Sequence, residues 1–412
     1  MKNGFSKKTY LNIFVICLAS MTIYLLPYLR WTYYDAVMEA SGLNNTQFGL
    51  TLSIFGITTM ICYAPGGWLA DRFSSRKLMT FSMFGSGLVG FWYATYPGFV
   101  GQVIMYILWG IFTTLTYWSA MMKATRRLGT SEEQGRIFGF VEGGRGICST
   151  IVSFATLYLF TKMGEGLGGL REIILVMAVL CIISGLLIWF VLEDDKPEGT
   201  GRVGLEKKKT GVSDILVILK TPAVWMIAAV IICCYSIYLG STYLTPYFTN
   251  VIKISASMAA FISIARTYII QFVAAPLGGI LADKMHSITK VIIGCYALMI
   301  AGLAAIIVAP VSALPVLMIA MIVLCVAIFA MRGIYFATVD EVNIPMDVMG
   351  TAVGLISVIG FLPDVFMSTL CGSLLDAHPG AAGYTAIFYV MLVFGVVGLI
   401  MAVLLLRQTK KN

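Results

Sequence analysis

Apolar residues run through this chain in long blocks, each broken by a short group of charges, prolines or glycines. A helix that crosses a bilayer needs about 20 mostly apolar residues. At that length the pattern predicts twelve spans. The first six cover 10–33, 45–70, 77–96, 99–122, 136–162 and 171–192, and the second six cover 222–250, 256–282, 290–310, 314–339, 348–375 and 383–406. The longest polar interruption runs from Glu193 to Lys220 and divides the spans six and six. The predicted organisation is a six-helix bundle at 1–192, a cytoplasmic central loop at 193–221 and a second six-helix bundle at 222–412.

Composition agrees. Hydrophobic residues make up 59% of the 412, charged residues 12%, and mean hydropathy is +0.90. A soluble domain carries about 25% charged residues, so a soluble enzyme, a nucleic-acid-binding protein and a disordered scaffold are all excluded. The net charge of +8 belongs to topology. With the N-terminus in the cytoplasm, 21 of the 28 Lys and Arg residues fall on the cytoplasmic side, as the positive-inside rule requires. Both termini are therefore expected in the cytoplasm. Lys2, Lys7 and Lys8 precede an apolar stretch without a small-residue cleavage site, which reads as a retained first helix.

The nine cysteines fall almost entirely within apolar runs and form no CxxC pair, so they read as packing residues and no metal or cofactor is expected. No H-E-x-x-H, G-x-S-x-G or Walker A pattern occurs, and His286 and His378 lie in predicted loops. An enzyme or an ATP-driven pump is not indicated.

The two halves echo each other. Pro65-Gly66-Gly67-Trp68-Leu69-Ala70-Asp71-Arg72 closes span two; Gly278-Gly279-Ile280-Leu281-Ala282-Asp283-Lys284 closes span eight, 212 residues later, with Pro276 just upstream. Gly135-Arg136-Ile137-Phe138-Gly139 opens span five, and Gly350-Thr351-Ala352-Val353-Gly354 opens span eleven. Parallel repeats of this kind are a transporter architecture, with substrate held near the bilayer midplane. Glycines let spans approach closely, and Asp71, Arg72, Arg76, Asp283 and Lys284 are gating candidates through contacts that form in one conformation and break in another.

Ionisable residues inside spans are costly and mark pathways. Arg30 ends the run Tyr24-Leu25-Leu26-Pro27-Tyr28-Leu29 within span one, which continues apolar and aromatic beyond it. Glu142 and Arg145 stand three apart on span five and face the same way. Arg332 is placed near mid-bilayer in span ten. Asp364 follows Pro363 in span eleven, where the proline breaks the helix ladder. Arg332 and Asp364 are each other's candidate counter-ions. Arg30, Arg145 and Arg332, with Tyr34 and Tyr238 as aromatic partners, are the candidate substrate-binding residues; Glu142 and Asp364 are the candidate proton carriers. Arg266 has no evident partner in the sequence.

The run Gly67-x-x-x-Asp71-Arg72-x-x-x-Arg76, with Lys77 after it, resembles the loop motif of the major facilitator superfamily. The resemblance extends over the whole chain in length, span number, central loop and repeat, and implies the twelve-helix fold of that superfamily and a transport function. At a lower level the chain resembles the organophosphate:phosphate antiporters, through Tyr28-Leu29-Arg30, Gln47-Phe48-Gly49-Leu50, and Pro345 followed by Gly350-Thr351-Ala352-x-Gly354. That branch clamps phosphate with arginines on spans one and seven. Arg30 fits the first role, whereas Tyr238 stands where the second arginine would be. Arg145 is a substitute cation that suits a carboxylate, a sulfonate or a sugar acid. The expected function is secondary active transport of a small organic anion by alternating access, proton-coupled or by exchange, in a monomer of a bacterial inner membrane surrounded by lipid. The alternative is proton-driven efflux of lipophilic compounds, in which Arg30 and Arg145 would be dispensable.

Overall fold

The computed structural model describes residues 5–130, 133–194, 221–342 and 349–409, and these are helical with no strand among them. Span one is Lys7–Leu25, span two Asn45–Arg72, span three Ser75–Tyr93, span four Phe99–Arg126, span five Gln134–Lys162 and span six Leu167–Val191. Span seven is Pro222–Asn250, span eight Ala256–Met285, span nine Ile288–Val308 and span ten Leu314–Val339. Span eleven consists of Met349–Gly360 and Pro363–Ala377, and span twelve is Ala381–Thr409. Ten of these helices among the described residues are long and apolar enough to cross a membrane. Spans three and five, of 19 and 29 residues, are long enough but less apolar. Arg76, Lys77 and several serines and glycines dilute the first, and Glu142, Arg145 and a glycine cluster dilute the second.

The chain separates into two compact units, Met1–Gly201 with Ala256–Ile264, and Arg202–Ser255 with Ala265–Asn412. This differs in one respect from a division at the central loop, because the first part of span eight groups with the first unit. It is held there by Ser263, whose hydroxyl donates to the Trp31 carbonyl at 2.9 Å, and by Phe261, whose ring lies 5.8 Å from that of Phe154.

Several spans depart from regular helix, and the departures position the polar groups. Span one stops at Leu25 rather than running to 33. Pro27 donates no backbone hydrogen bond, and although Leu26 before it keeps helical geometry, the chain continues as a 3-10 turn, Leu29–Trp31, and a short helix, Tyr34–Ser41. Gly42 ends that helix at φ +62, a left-handed conformation suited to glycine. Span two then starts with a capping box: the Asn44 side chain accepts from the Gln47 amide at 2.8 Å, and the Gln47 side chain accepts from the Asn44 amide at 3.3 Å.

Spans four and eight each contain a π-helical stretch, Ile111–Trp118 and Ala265–Ile270. Such widenings are rare and frequently accompany function. Span seven breaks between Ser241 and Leu244. Span eleven breaks at Phe361–Leu362, so that Pro363 opens the second half-helix and Asp364 lies in its first turn. The break expected at Pro363 is present.

The glycine repeat has a structural counterpart. A Cβ added to Gly66 would lie 2.9 Å from the Thr114 carbonyl oxygen on span four. A Cβ on Gly278, its equivalent 212 residues on, would run into the Ala330 carbonyl on span ten. Gly333 on span ten returns the contact, its added Cβ lying 2.8 Å from the Ala275 carbonyl oxygen. The neighbouring Gly67 and Gly279 have nothing within 4 Å. In each unit the first glycine of the pair is thus a helix-crossing point and the second is open.

Candidate functional site

In the first unit the 3-10 turn carries Arg30 inward. The residue is 3% exposed. Its Nη1 donates to the Thr51 hydroxyl at 2.9 Å, and the guanidinium lies 3.2 Å from the Phe48 ring centroid and 5.6 Å from that of Tyr106. Phe48 and Thr51 are three apart on span two and share a face, so one helix supplies both the aromatic platform and the hydroxyl. Tyr34 packs edge-on against Phe48 with centroids 5.1 Å apart, and its hydroxyl donates to Asn45. Arg30 Nη2 is buried without a hydrogen-bond partner among the described residues. Arg30 and Tyr34, two candidates from the sequence, are therefore brought to one aromatic box.

Glu142 and Arg145 pair as expected, with Arg145 Nη1 donating to Glu142 Oε1 at 2.7 Å. The carboxylate side chain is 65% exposed and the arginine 23%. Gly144 between them allows span five to approach span one, since a Cβ there would lie 2.5 Å from Cys17 Sγ. Arg145 therefore has its own counter-ion, whereas Arg30 has none among the described residues.

In the second unit Tyr235, Tyr238, Arg332 and Asp364 come together. The Arg332 guanidinium lies 3.8 Å from the Tyr238 ring centroid and 5.7 Å from that of Tyr235. Tyr235 donates its hydroxyl to Asp364, with Oδ1 at 3.0 Å and Oδ2 at 3.1 Å. Arg332 and Asp364 make no direct ion pair; the expected counter-ions are separated by Tyr235.

Arg266, without an evident partner in the sequence, has one in the fold. It lies on the π-helical stretch of span eight, is 4% exposed and donates Nη1 to the Ser241 carbonyl. Ser241 ends the first helix of span seven, so the cation caps a helix C-terminus. Among the described residues no Asp or Glu forms an ion pair with Arg30, Arg266 or Arg332.

The gating candidates are distributed unevenly. Arg76 Nη2 reaches Asp194 Oδ2 at 3.0 Å, Lys77 lies 3.7 Å from the same atom, and Lys8 pairs with Glu193. Lys8, Arg76, Glu193 and Asp194 line a 310 Å³ cavity with Asn12 and Arg127. Arg72 lies over Trp68 at 4.2 Å. Asp71, Asp283 and Lys284 are exposed, and make no hydrogen bond or ion pair among the described residues. The partner of Arg76 is thus a carboxylate at the end of span six rather than the motif aspartate. Asp340, Pro345 and the first residues of span eleven lie outside the residues whose side chains are described.

The profile of the Major Facilitator Superfamily matches residues 10–368. The chain belongs to that superfamily. It is 31% identical to the inner membrane protein YihN of Escherichia coli K12 over 99% of this chain and 97% of that one. It is 34% identical to YqcE of the same organism, over 92% and 90% of the two chains. The fold matches that of a bacterial homolog of the human lysosomal transporter Spinster at a TM-score of 0.81, 12% identity and 99% coverage of both chains. It also matches a mutant of the nucleoside transporter NupG at a TM-score of 0.76, 12% identity, 96% of this chain and 99% of that one. A 50-residue stretch, 12% of this chain and 11% of the other, is 40% identical to the probable galactarate/D-glucarate transporter GudP of Bacillus subtilis. The protein is a multi-pass membrane transporter rather than an enzyme.

Proposed function

We propose that this transporter carries a small organic anion, of the carboxylate, sugar-acid, phosphorylated or sulfonated class, by alternating access. The observation that carries the reading is the set of three interior arginines, Arg30, Arg266 and Arg332, which form no ion pair with a carboxylate among the described residues. An unpaired charge in a membrane interior is expensive, and guanidinium groups match carboxylate, sulfonate and phosphate geometry. An anionic cargo supplies the missing counter-charge. Arg30, Tyr34, Tyr238 and Arg332 are the proposed substrate contacts. Arg145, held by Glu142, joins them when Glu142 is protonated. The local likeness to a probable aldarate transporter is consistent with this class of cargo.

Glu142 and Asp364 are the proposed proton carriers, with exchange as the other form of coupling. The proposed setting is the inner membrane, as the names of the E. coli relatives suggest, with a monomer and cytoplasmic termini. Counterflow into proteoliposomes loaded with D-glucarate, D-gluconate or glucose 6-phosphate tests the cargo class. Uptake of at least one labelled anion that is lost in Arg30→Ala is expected; uptake confined to lipophilic cations, unchanged in that variant, would support efflux instead.

Asp194 with Arg76 and Lys77 is the proposed latch of the first unit. The Ser74 hydroxyl, then Arg76 and Lys77, holds the Asp194 carboxyl below its usual range, and the Lys8 ammonium does the same for Glu193. The pairing is complete above the ordinary Asp value of about 3.9 and is lost as pH falls through the lower folded-state value. Exposed pairs stabilise little. Asp194→Asn is therefore expected to leave the melting temperature nearly unchanged while altering the transport rate by roughly threefold or more. An unchanged rate would remove the latch role.

A further inference from the structure

The second unit holds its anion candidate and its proton candidate on two sides of one phenol. Tyr235 donates to both carboxylate oxygens of Asp364 and places its ring 5.7 Å from the Arg332 guanidinium. Its ring is fixed by Phe361, 4.9 Å away and edge-on, and by Tyr238, 5.7 Å away. Tyr238 in turn lies beneath Arg332. From span seven, Cys234, Tyr235 and Tyr238 face this cluster; Arg332 and Tyr335 face it from span ten, and Asp364 from span eleven. Arg266 on span eight is within electrostatic reach of Tyr238. Asp364 is thus a carboxylate within the electrostatic reach of Arg332.

The geometry points to Tyr235 as a positioning residue that makes anion binding at Arg332 depend on a proton at Asp364. This rests on the organic-anion reading and adds the sense of coupling. When Asp364 is ionised it accepts only, and the Tyr235 hydrogen points to it. Uptake of one proton by the carboxylate gives Asp364 an O–H of its own. That O–H can donate to the Tyr235 oxygen, and the Tyr235 hydrogen is then turned towards an anion on Arg332. No bond of Tyr235 is broken; the added proton stays on Asp364. The same proton removes the carboxylate charge that competes with a substrate for Arg332. Proton and anion therefore bind together, and their release is also linked. The coupling that follows is symport of a proton with the anion.

The test is binding across pH, read as thermal stabilisation by D-glucarate, D-gluconate, glucose 6-phosphate and ethanesulfonate in wild type, Tyr235→Phe and Asp364→Asn. In wild type the apparent Kd for a binding anion should rise with pH, approaching tenfold per pH unit where Asp364 is mostly ionised. Asp364→Asn, whose amide donates as the protonated acid does, should bind at every pH with the acid-form affinity. Tyr235→Phe keeps the ring and loses the hydroxyl; it should bind about tenfold more weakly at acid pH, with a flattened pH response. The melting temperature of each unliganded variant reports its folding. Anion binding with the wild-type pH slope in Tyr235→Phe, or without pH dependence in wild type, overturns the relay and leaves the cargo reading standing. Stabilisation of wild type by none of the four anions at any pH overturns both.

Discussion

Arg332→Ala should abolish anion transport and weaken binding on the order of 100-fold or more. Truncating one partner of a desolvated charge pair costs about 2–5 kcal/mol, and here the substrate is the proposed partner. The guanidinium rests on Tyr238 at 3.8 Å with no carboxylate paired to it among the described residues, so the unliganded protein loses a cation–π contact of about 2 kcal/mol and also sheds a costly interior charge. These effects oppose each other. The unliganded variant should accordingly melt close to wild type while its response to anions disappears. Arg332→Lys keeps the charge but not the planar fork, and intermediate binding is expected. A large fall in unliganded stability with anion binding retained would make Arg332 a structural cation. Ligand titrations by thermal shift, read beside the unliganded melt, separate these outcomes.

Gly278→Ala should be among the most destabilising single-methyl changes in the chain, by about 2–3 kcal/mol, as expected for overpacking at a rigid contact. The new Cβ would meet the Ala330 backbone, with its carbonyl carbon at 2.9 Å and Cα at 3.1 Å. A backbone cannot rotate away as a side-chain tip can, so spans eight and ten must separate, and the return contact of Gly333 with Ala275 loosens with them. Gly279→Ala is the control. Nothing lies within 4 Å of its added Cβ, and alanine is the better helix former, so neutrality or slight stabilisation is expected. Gly66→Ala and Gly67→Ala should repeat this contrast in the first unit. Detergent melting temperatures of the four variants provide the check; equal effects for Gly278 and Gly279 would contradict the crossing-point assignment.

Much of the fold is legible because lipid as solvent imposes length and apolarity on each span. The glycine echo is also legible, since a close helix crossing admits few other residues, and the structure gives it meaning at Gly66 and Gly278. The continuous first span expected to residue 33 stops at Leu25 instead; its composition stays apolar through Pro27, and that proline is the signal of the break. The π-helical stretches of spans four and eight carry no residue signature, although Thr113 donates to the Trp109 carbonyl at 2.7 Å within the first. Arg266 has no partner in the sequence because its partner is the backbone of Ser241, invisible to any reading by residue type. The neighbourhood of Arg332 and Asp364 is expected from the sequence, but the tyrosine between them is not, since Tyr235 reaches Asp364 across 129 positions of chain.

The most direct test of the central claim is ligand-induced thermal stabilisation of the purified protein with organic anions, neutral sugars and lipophilic cations, repeated in Arg30→Ala and Arg332→Ala. Binding to the folded state raises apparent stability by mass action, by about 2.7 kcal/mol at a hundred times Kd. The account predicts stabilisation by at least one organic anion, lost in both variants. Stabilisation by neutral or cationic lipophiles alone, preserved in both variants, would contradict it.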